Sequence, residues 1–139
     1  MTTSSGGGIG NIVSFKSADA YSTCQYYPVK LTADNTVGTC SATTDRVIGI
    51  LQNKPEAIGA TADVLLSGGA VSKVITSGTI AAAGLIYVGT NGLCRAPLDP
   101  DVARSVVVGY ALEASTATAA AGGGDIITAI LIPSIGTVS

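Results

Sequence analysis

Nine carboxylates and three thiols are the groups in this chain that could do chemistry. Asp19, Asp34, Asp45, Glu56, Asp63, Asp99, Asp101, Glu113 and Asp125 could in principle supply a glycosidase-type acid–base pair. Most of them fall in predicted turns or at strand starts, where an aspartate accepts from backbone amides, and that structural role is the stronger expectation. The sequence contains no histidine, which excludes Ser-His and Cys-His nucleophile pairs. Asp99 and Asp101 have the spacing of two calcium ligands, but the further oxygens and closing Glu of an EF-hand loop do not follow. Cys24, Cys40 and Cys94 are odd in number and match no zinc spacing. They are expected to be buried free thiols, with a Cys24–Cys40 disulfide left open. The run Gly6-Gly7-Gly8-Ile9-Gly10 looks like a phosphate loop, yet it follows no strand and opens no helix, so it lacks the amide cradle that binds phosphate. The expectation is a protein that is not an enzyme and needs neither metal nor cofactor.

Binding chemistry is equally restricted. Lys16, Lys30, Arg46, Lys54, Lys73, Arg95 and Arg104 are scattered singly and the net charge is −2. Nucleic-acid binding needs several cations gathered against phosphates, so no nucleic-acid partner is expected. The charge-free stretch Val74–Cys94 is interrupted by Ser, Thr, Gly and Asn, short of the ~20 apolar residues of a membrane span. The N-terminus has no basic region followed by an apolar one, so it does not read as a secretory signal. The chain is expected to be soluble, made in the cytoplasm and without a membrane partner. Tyr21, Tyr26 and Tyr27, beside Pro28, form an aromatic cluster that suits a recognition face and a β core equally well. Charged residues are only 12% of the chain, about half the usual share of roughly 25%. Such a surface suits a protein held within an assembly.

These groups must be positioned by β structure. The 139 residues fit one domain, divided into a Ser/Thr/Gly-rich flexible arm over residues 1–11 and a β-rich domain over residues 12–139. With no Trp and only Phe15 for phenylalanine, the core must be built from Val, Ile, Leu and Ala. Short β-branched runs separated by turn residues predict eight strands: Ile12–Phe15, Tyr26–Leu31, Val47–Gln52, Ala62–Leu66, Val71–Ile75, Leu85–Val88, Val106–Leu112 and Asp125–Ile132. The fold class is all-β, a compact β-sandwich or small β-barrel. Ala111–Ala121 has no apolar stripe at helical spacing, and Pro97–Arg104 reads as a turn or a brief helix. Asn91-Gly92 lies between Leu85–Val88 and Leu93–Arg95, where a tight hairpin needs positive φ.

One pattern occurs twice. Val47-Ile48-Gly49-Ile50-Leu51 precedes an Ala-rich stretch and Ala62-Asp63-Val64-Leu65-Leu66. Val107-Val108-Gly109-Tyr110-Ala111-Leu112 precedes another such stretch and Gly124-Asp125-Ile126-Ile127-Thr128-Ala129-Ile130. Glycine normally weakens a strand, so its recurrence predicts a bulge or a close backbone crossing at both places, in related strand pairs. Gly49, Gly84, Asn91, Gly92 and Gly109 are the expected fold-critical positions.

The order of these pieces resembles the capsid cement, or head decoration, proteins of tailed phages. The residues that carry the likeness are Ile48-Gly49-Ile50-Leu51, Ala62-Asp63-Val64-Leu65-Leu66-Ser67-Gly68, Ala82-Ala83-Gly84-Leu85-Ile86-Tyr87-Val88 and Val108-Gly109-Tyr110-Ala111-Leu112-Glu113-Ala114, leading to Gly124-Asp125-Ile126-Ile127. Leu85 stands where the family commonly has Asp, and residues 1–45 match its usual start poorly. The resemblance implies a homotrimer on the exterior of the virion, bound to the major capsid protein at capsomer junctions. It would stabilise the mature shell against internal DNA pressure. Thr2, Thr3, Ser4, Ser5, Ile9, Tyr21, Tyr26 and Tyr27 are the candidate capsid contacts. The alternative is a receptor- or carbohydrate-binding β module of a phage tail or cell surface, against which the absence of Trp weighs.

Overall fold

The computed structural model describes residues 11–42, 45–66, 68, 70–89, 93–95, 107–115 and 125–132. Runs in which every second residue is apolar become strands, because one side chain in two can then enter a core while the backbone pairs laterally. Ten strands form: β1 (Ile12–Ser17), β2 (Pro28–Ala33), β3 (Thr36–Thr39), β4 (Gly49–Leu51), β5 (Thr61–Leu66), β6 (Val71–Ile75), β7 (Leu85–Val88), β8 (Cys94–Arg95), β9 (Val107–Ala111) and β10 (Ile126–Leu131). No helix occurs among the described residues, and the fold is all-β.

Strands β1 to β5 close a barrel in the order β1-β3-β2-β4-β5, and β6 to β10 form a second sheet in the order β6-β10-β9-β7-β8. The two orders are the same circuit. β1, β5, β4, β2 and β3 correspond to β6, β10, β9, β7 and β8. The parallel pairing of β1 with β3 through Lys16–Thr36 and Ser17–Val37 has its counterpart in a parallel bridge between Thr76 and Cys94. Backbone hydrogen bonds repeat in step. Ser17 N–H donates to Ala60 O as Thr76 N–H does to Asp125 O, Ala18 to Val37 O as Ser77 to Cys94 O, and Leu66 to Asn11 O as Leu131 to Ala70 O. Tyr26 and Ala83 occupy one position of this repeat. Each donates to the strand ahead, to Leu51 O and Ala111 O respectively, and each has left-handed φ, 72° and 65°. The related strand pairs expected from the sequence are therefore parts of a five-strand unit used twice.

The glycines of the Val-Gly motif are explained by close approach. A Cβ on Gly49 would overlap the carbonyl oxygen of Leu65 and lie 2.8 Å from Val64 Cγ1. One on Gly109 would overlap the carbonyl oxygen of Ile130 and lie 2.9 Å from its carbonyl carbon. Gly49 pairs with Leu66 and Gly109 with Leu131, so the crossing is the same in both units.

Alternation sorts the core. Val29, Val37, Leu51, Ala62 and Val64 fill the first barrel, with Phe15, Tyr21, Cys24, Ile48 and Leu66 packed against them. Their neighbours Ile50 and Leu65 point the other way and join a second cluster with Val74, Ile86, Val88, Val108, Ile127, Ala129 and Leu131. The outer face of the first unit is thus buried against the second. Ile75 N–H donates to Tyr26 O (3.2 Å) and Gln52 Nε2 to Ser72 Oγ (3.0 Å) across the same joint.

The element boundaries depart from the sequence reading at particular places. β3 was not expected; it forms because the Asp34-Asn35 turn folds Thr36–Thr39 back onto β2, with Asn35 at φ 52°. The strand expected from Tyr26 starts at Pro28 instead, because the left-handed Tyr26 interrupts extension. The expected hairpin between β7 and β8 is present, with Tyr87 opposite Arg95 and Gly89 N–H donating to Leu93 O (2.9 Å). Its turn residues Asn91 and Gly92 lie outside the described residues, as do Asp99, Asp101 and most of the Ala-rich run.

Candidate functional site

Most of the carboxylates that make hydrogen bonds here hold backbone or a neighbouring hydroxyl. Asp19 Oδ1 accepts from Ala20 N–H (2.7 Å), Asp63 Oδ1 from Ser14 Oγ (2.9 Å), and Glu113 Oε2 from Thr128 N–H (2.9 Å). The Glu113 carboxyl is held below its ordinary value by hydrogen bonds from the amide and hydroxyl of Thr128. Among the described residues no three Cys, Asp or Glu side chains are arranged to hold a metal ion. No described helix is long and apolar enough to cross a membrane.

Two hydroxyls are fully buried together. Thr76 Oγ1 and Ser115 Oγ are 2.9 Å apart, so one hydroxyl donates to the other, and the carbonyl oxygens of Asp125 (3.1 Å from Thr76 Oγ1) and Gly78 (3.1 Å from Ser115 Oγ) are the acceptors for the hydroxyl whose proton is left. Both hydroxyls are therefore satisfied by each other and by backbone, as buried polar groups must be. This cluster ties the β6 terminus to the loop after β9, and its hydrogen-bond partners among the described residues are hydroxyls and backbone carbonyls.

The three thiols are free. Cys24 is half-buried in the first core, while Cys40 and Cys94 sit in the shared one. Burial pushes the Cys40 thiol up to about 12, with the Asp45 carboxylate adding to the rise, and burial raises Cys94 as well. Thiols held protonated in this way are poor nucleophiles.

Among the described residues the surface has an open groove of about 660 Å³, lined by Lys30, Leu31 and Thr32 of β2 and by Asp45, Arg46 and Ile48 of the segment leading into β4. Asp45 organises it. Its Oδ2 takes the Lys30 ammonium at 2.9 Å and the amides of Ser41 (2.8 Å) and Ala42 (3.0 Å). Partial burial pushes this carboxyl up, but the Ser41 amide, the Lys30 ammonium and the Ala42 amide outweigh it and leave it below its ordinary value. With Leu31 53% exposed beside two cations and an anion, the groove suits contact with another protein surface. Sequence reasoning missed it because Lys30 and Asp45 meet only through the β2–β3 hairpin.

The aromatic cluster is divided by the fold. Tyr21 packs on the first-unit core, Tyr26 on the shared core, and Tyr27 is half-buried beside Cys24; burial raises its phenol, and the Cys24 thiolate formed in alkali adds to the rise. None of the three is a fully exposed platform. Thr2, Thr3, Ser4, Ser5 and Ile9 lie outside the described residues. A Cβ on Gly84 would come 2.8 Å from Ala81 O, in the tight turn that includes the left-handed Ala83.

A solved structure shares this fold. It is the N base of the head fiber protein gp8.5 of bacteriophage phi29, which superposes with a TM-score of 0.60 at 17% identity and covers 93% of this chain and 98% of its own. The likeness at this identity is one of fold, and it runs through both five-strand units. No protein-family model matches the sequence, and no curated protein matches it.

Proposed function

We propose that this protein is a structural component of a tailed-phage head, bound to the outside of the shell at capsomer junctions, where it stabilises the mature lattice. The observation that carries this reading is the fold shared over nearly the whole chain with the base of a phage head fiber. It is supported by the strand-motif resemblance to head decoration proteins. Among the described residues the buried hydroxyls are satisfied and two of the three thiols are held protonated by burial, an arrangement suited to scaffolding. The partner is the major capsid protein. A symmetric oligomer, for which a homotrimer is the expectation, engages several capsid subunits at once, so modest contacts per protomer add up to firm attachment. Binding only to the assembled lattice shifts the equilibrium toward the intact shell.

Purified protein mixed with immature and with expanded shells of its phage tests this. It is expected to sediment with expanded shells and to stay in solution with immature ones. Equal recovery with both would remove the maturation-specific clamp, and recovery with neither would remove the head assignment. Deleting residues 2–10 is expected to leave the melting temperature unchanged and to reduce occupancy on expanded shells. Full occupancy by the truncated chain would show that the arm makes no contact.

A further inference from the structure

At the groove beside β2 the first unit departs from its twin. Leu31 pairs with Val37 and Val88 with Cys94, so Leu31 and Val88 hold the same position in the two units, two residues on from Val29 and Ile86. Side chains two apart in a strand share a face. Val29, Ile86 and Val88 are all 0% exposed, but Leu31 is 53% exposed. A core-facing position that is covered in one unit stands open in the other, in the lining of the groove together with half-buried Ile48.

Charge around that apolar spot is unequal. The Asp45 carboxylate is already engaged by the Lys30 ammonium and by the amides of Ser41 and Ala42. Arg46 is exposed, and among the described residues no carboxylate forms an ion pair with it. One ammonium and one guanidinium against a single engaged carboxylate leave the groove positive, on a chain whose net charge is −2. The planar fork of donors on Arg46 matches a carboxylate, and the Lys30 ammonium keeps further N–H donors beyond the one spent on Asp45. Small ligands are mostly held in clefts that bury nearly all of their surface. An open groove of this size instead suits a segment of a larger partner, which brings its own cover.

We propose that this groove is the contact with the shell and that it takes an acidic segment of the shell protein, with a carboxylate on Arg46 beside a large apolar side chain on Leu31. Charge complementarity selects that occupant, because a neutral or basic segment would cover the guanidinium without pairing it. The contact presupposes the head role proposed above and gives it a location apart from the tyrosine cluster.

Co-sedimentation of the full chain with expanded shells of its phage, over a range of protein concentrations, tests the groove. Arg46→Glu and Leu31→Asp are each expected to weaken the apparent affinity by about tenfold or more, as loss of an interface anchor does, and Arg46→Lys by less. Lys54→Glu makes the same charge change at an exposed site outside the groove and should bind like the parent. Melting temperatures check folding, and if Leu31→Asp melts early, Arg46→Glu decides. Raising salt should narrow the gap between the parent and Arg46→Glu, since ions screen a pair near solvent. A gap that salt leaves unchanged would overturn the carboxylate. Groove variants that bind like the parent, or a Lys54→Glu that loses as much as Arg46→Glu, would overturn the groove and leave the head reading standing, whereas a parent that ignores shells removes both. An Arg46→Glu chain of smaller mass in solution than the parent would give the groove to a contact between copies and overturn the shell assignment.

Discussion

Gly49 and Gly109 tolerate no side chain, and the reason is a carbonyl oxygen of the neighbouring strand rather than an unusual backbone angle. Alanine at either position must push two paired strands apart, so each change should lower stability by ~1–3 kcal/mol, the range of overpacking in a tight core. Gly59 provides the contrast: it has φ 82° but nothing within 4 Å of a Cβ, and alanine there meets only backbone strain of ~1–2 kcal/mol. Denaturant midpoints of the three variants check this, and equal stability of parent, Gly49→Ala and Gly109→Ala would show the crossing to be loose. Asp45 gives a prediction with a pH sign. Its carboxyl lies below the ordinary 3.8 in the folded chain, so its stabilisation is complete above 3.8 and is lost as pH falls through the lower folded value. Asp45→Asn should therefore lower stability at neutral pH by up to about 1 kcal/mol, since the ion pair is close to solvent. Parent and variant should converge in acid, and a gap in melting temperature that persists there would assign the effect to lost geometry instead.

At the scale of elements, the strands that could be read from the sequence were those with several β-branched residues in alternation, such as Val71–Ile75 and Leu85–Val88. β3 escaped because Thr36-Val37-Gly38-Thr39 carries one strongly apolar residue; its strand character comes from pairing with β2 on one side and β1 on the other. The start of β2 was displaced because nothing in Gln25-Tyr26-Tyr27 announces a left-handed tyrosine; that angle is fixed by hydrogen bonds from Tyr26 to Leu51 and to it from Ile75. The groove around Asp45 was illegible for a related reason, since two residues fifteen apart in sequence become partners only when the hairpin forms. The turn that makes this hairpin is testable. Asn35 has φ 52°, a region asparagine and glycine enter at little cost but β-branched residues do not. Asn35→Val should lower stability by ~1–2 kcal/mol and Asn35→Gly should leave it close to the parent, as read by thermal melting. Equal effects of the two changes would mean that the turn does not set the pairing of β2 with β3.

At the scale of the molecule, the duplication was visible in the sequence only where packing forbids change, at the two Val-Gly strand pairs. Elsewhere the units kept their backbone hydrogen bonds while side chains diverged, so that Ser17 corresponds to Thr76, Tyr26 to Ala83 and Ile50 to Tyr110. The last exchange tracks burial, for Ile50 faces the other unit and Tyr110 faces outward. Two units sharing one apolar cluster should not unfold separately. Ile50 and Leu65 belong to strands of the first barrel, yet their side chains lie among Val74, Ile86 and Ile127 of the second sheet. Removing Ile50 therefore weakens both at once. Ile50→Ala should lower global stability by ~2–5 kcal/mol, as truncation of a fully buried isoleucine does, with a single transition by far-UV dichroism and by tyrosine fluorescence. Hydrogen exchange locates the effect: amides of β5 and of β10 should lose protection together, because in one cooperative unit the most protected amides exchange through the same global opening. Loss of protection confined to β5, or two separated transitions in the parent, would show that the units fold independently and that their shared cluster is only a contact between them.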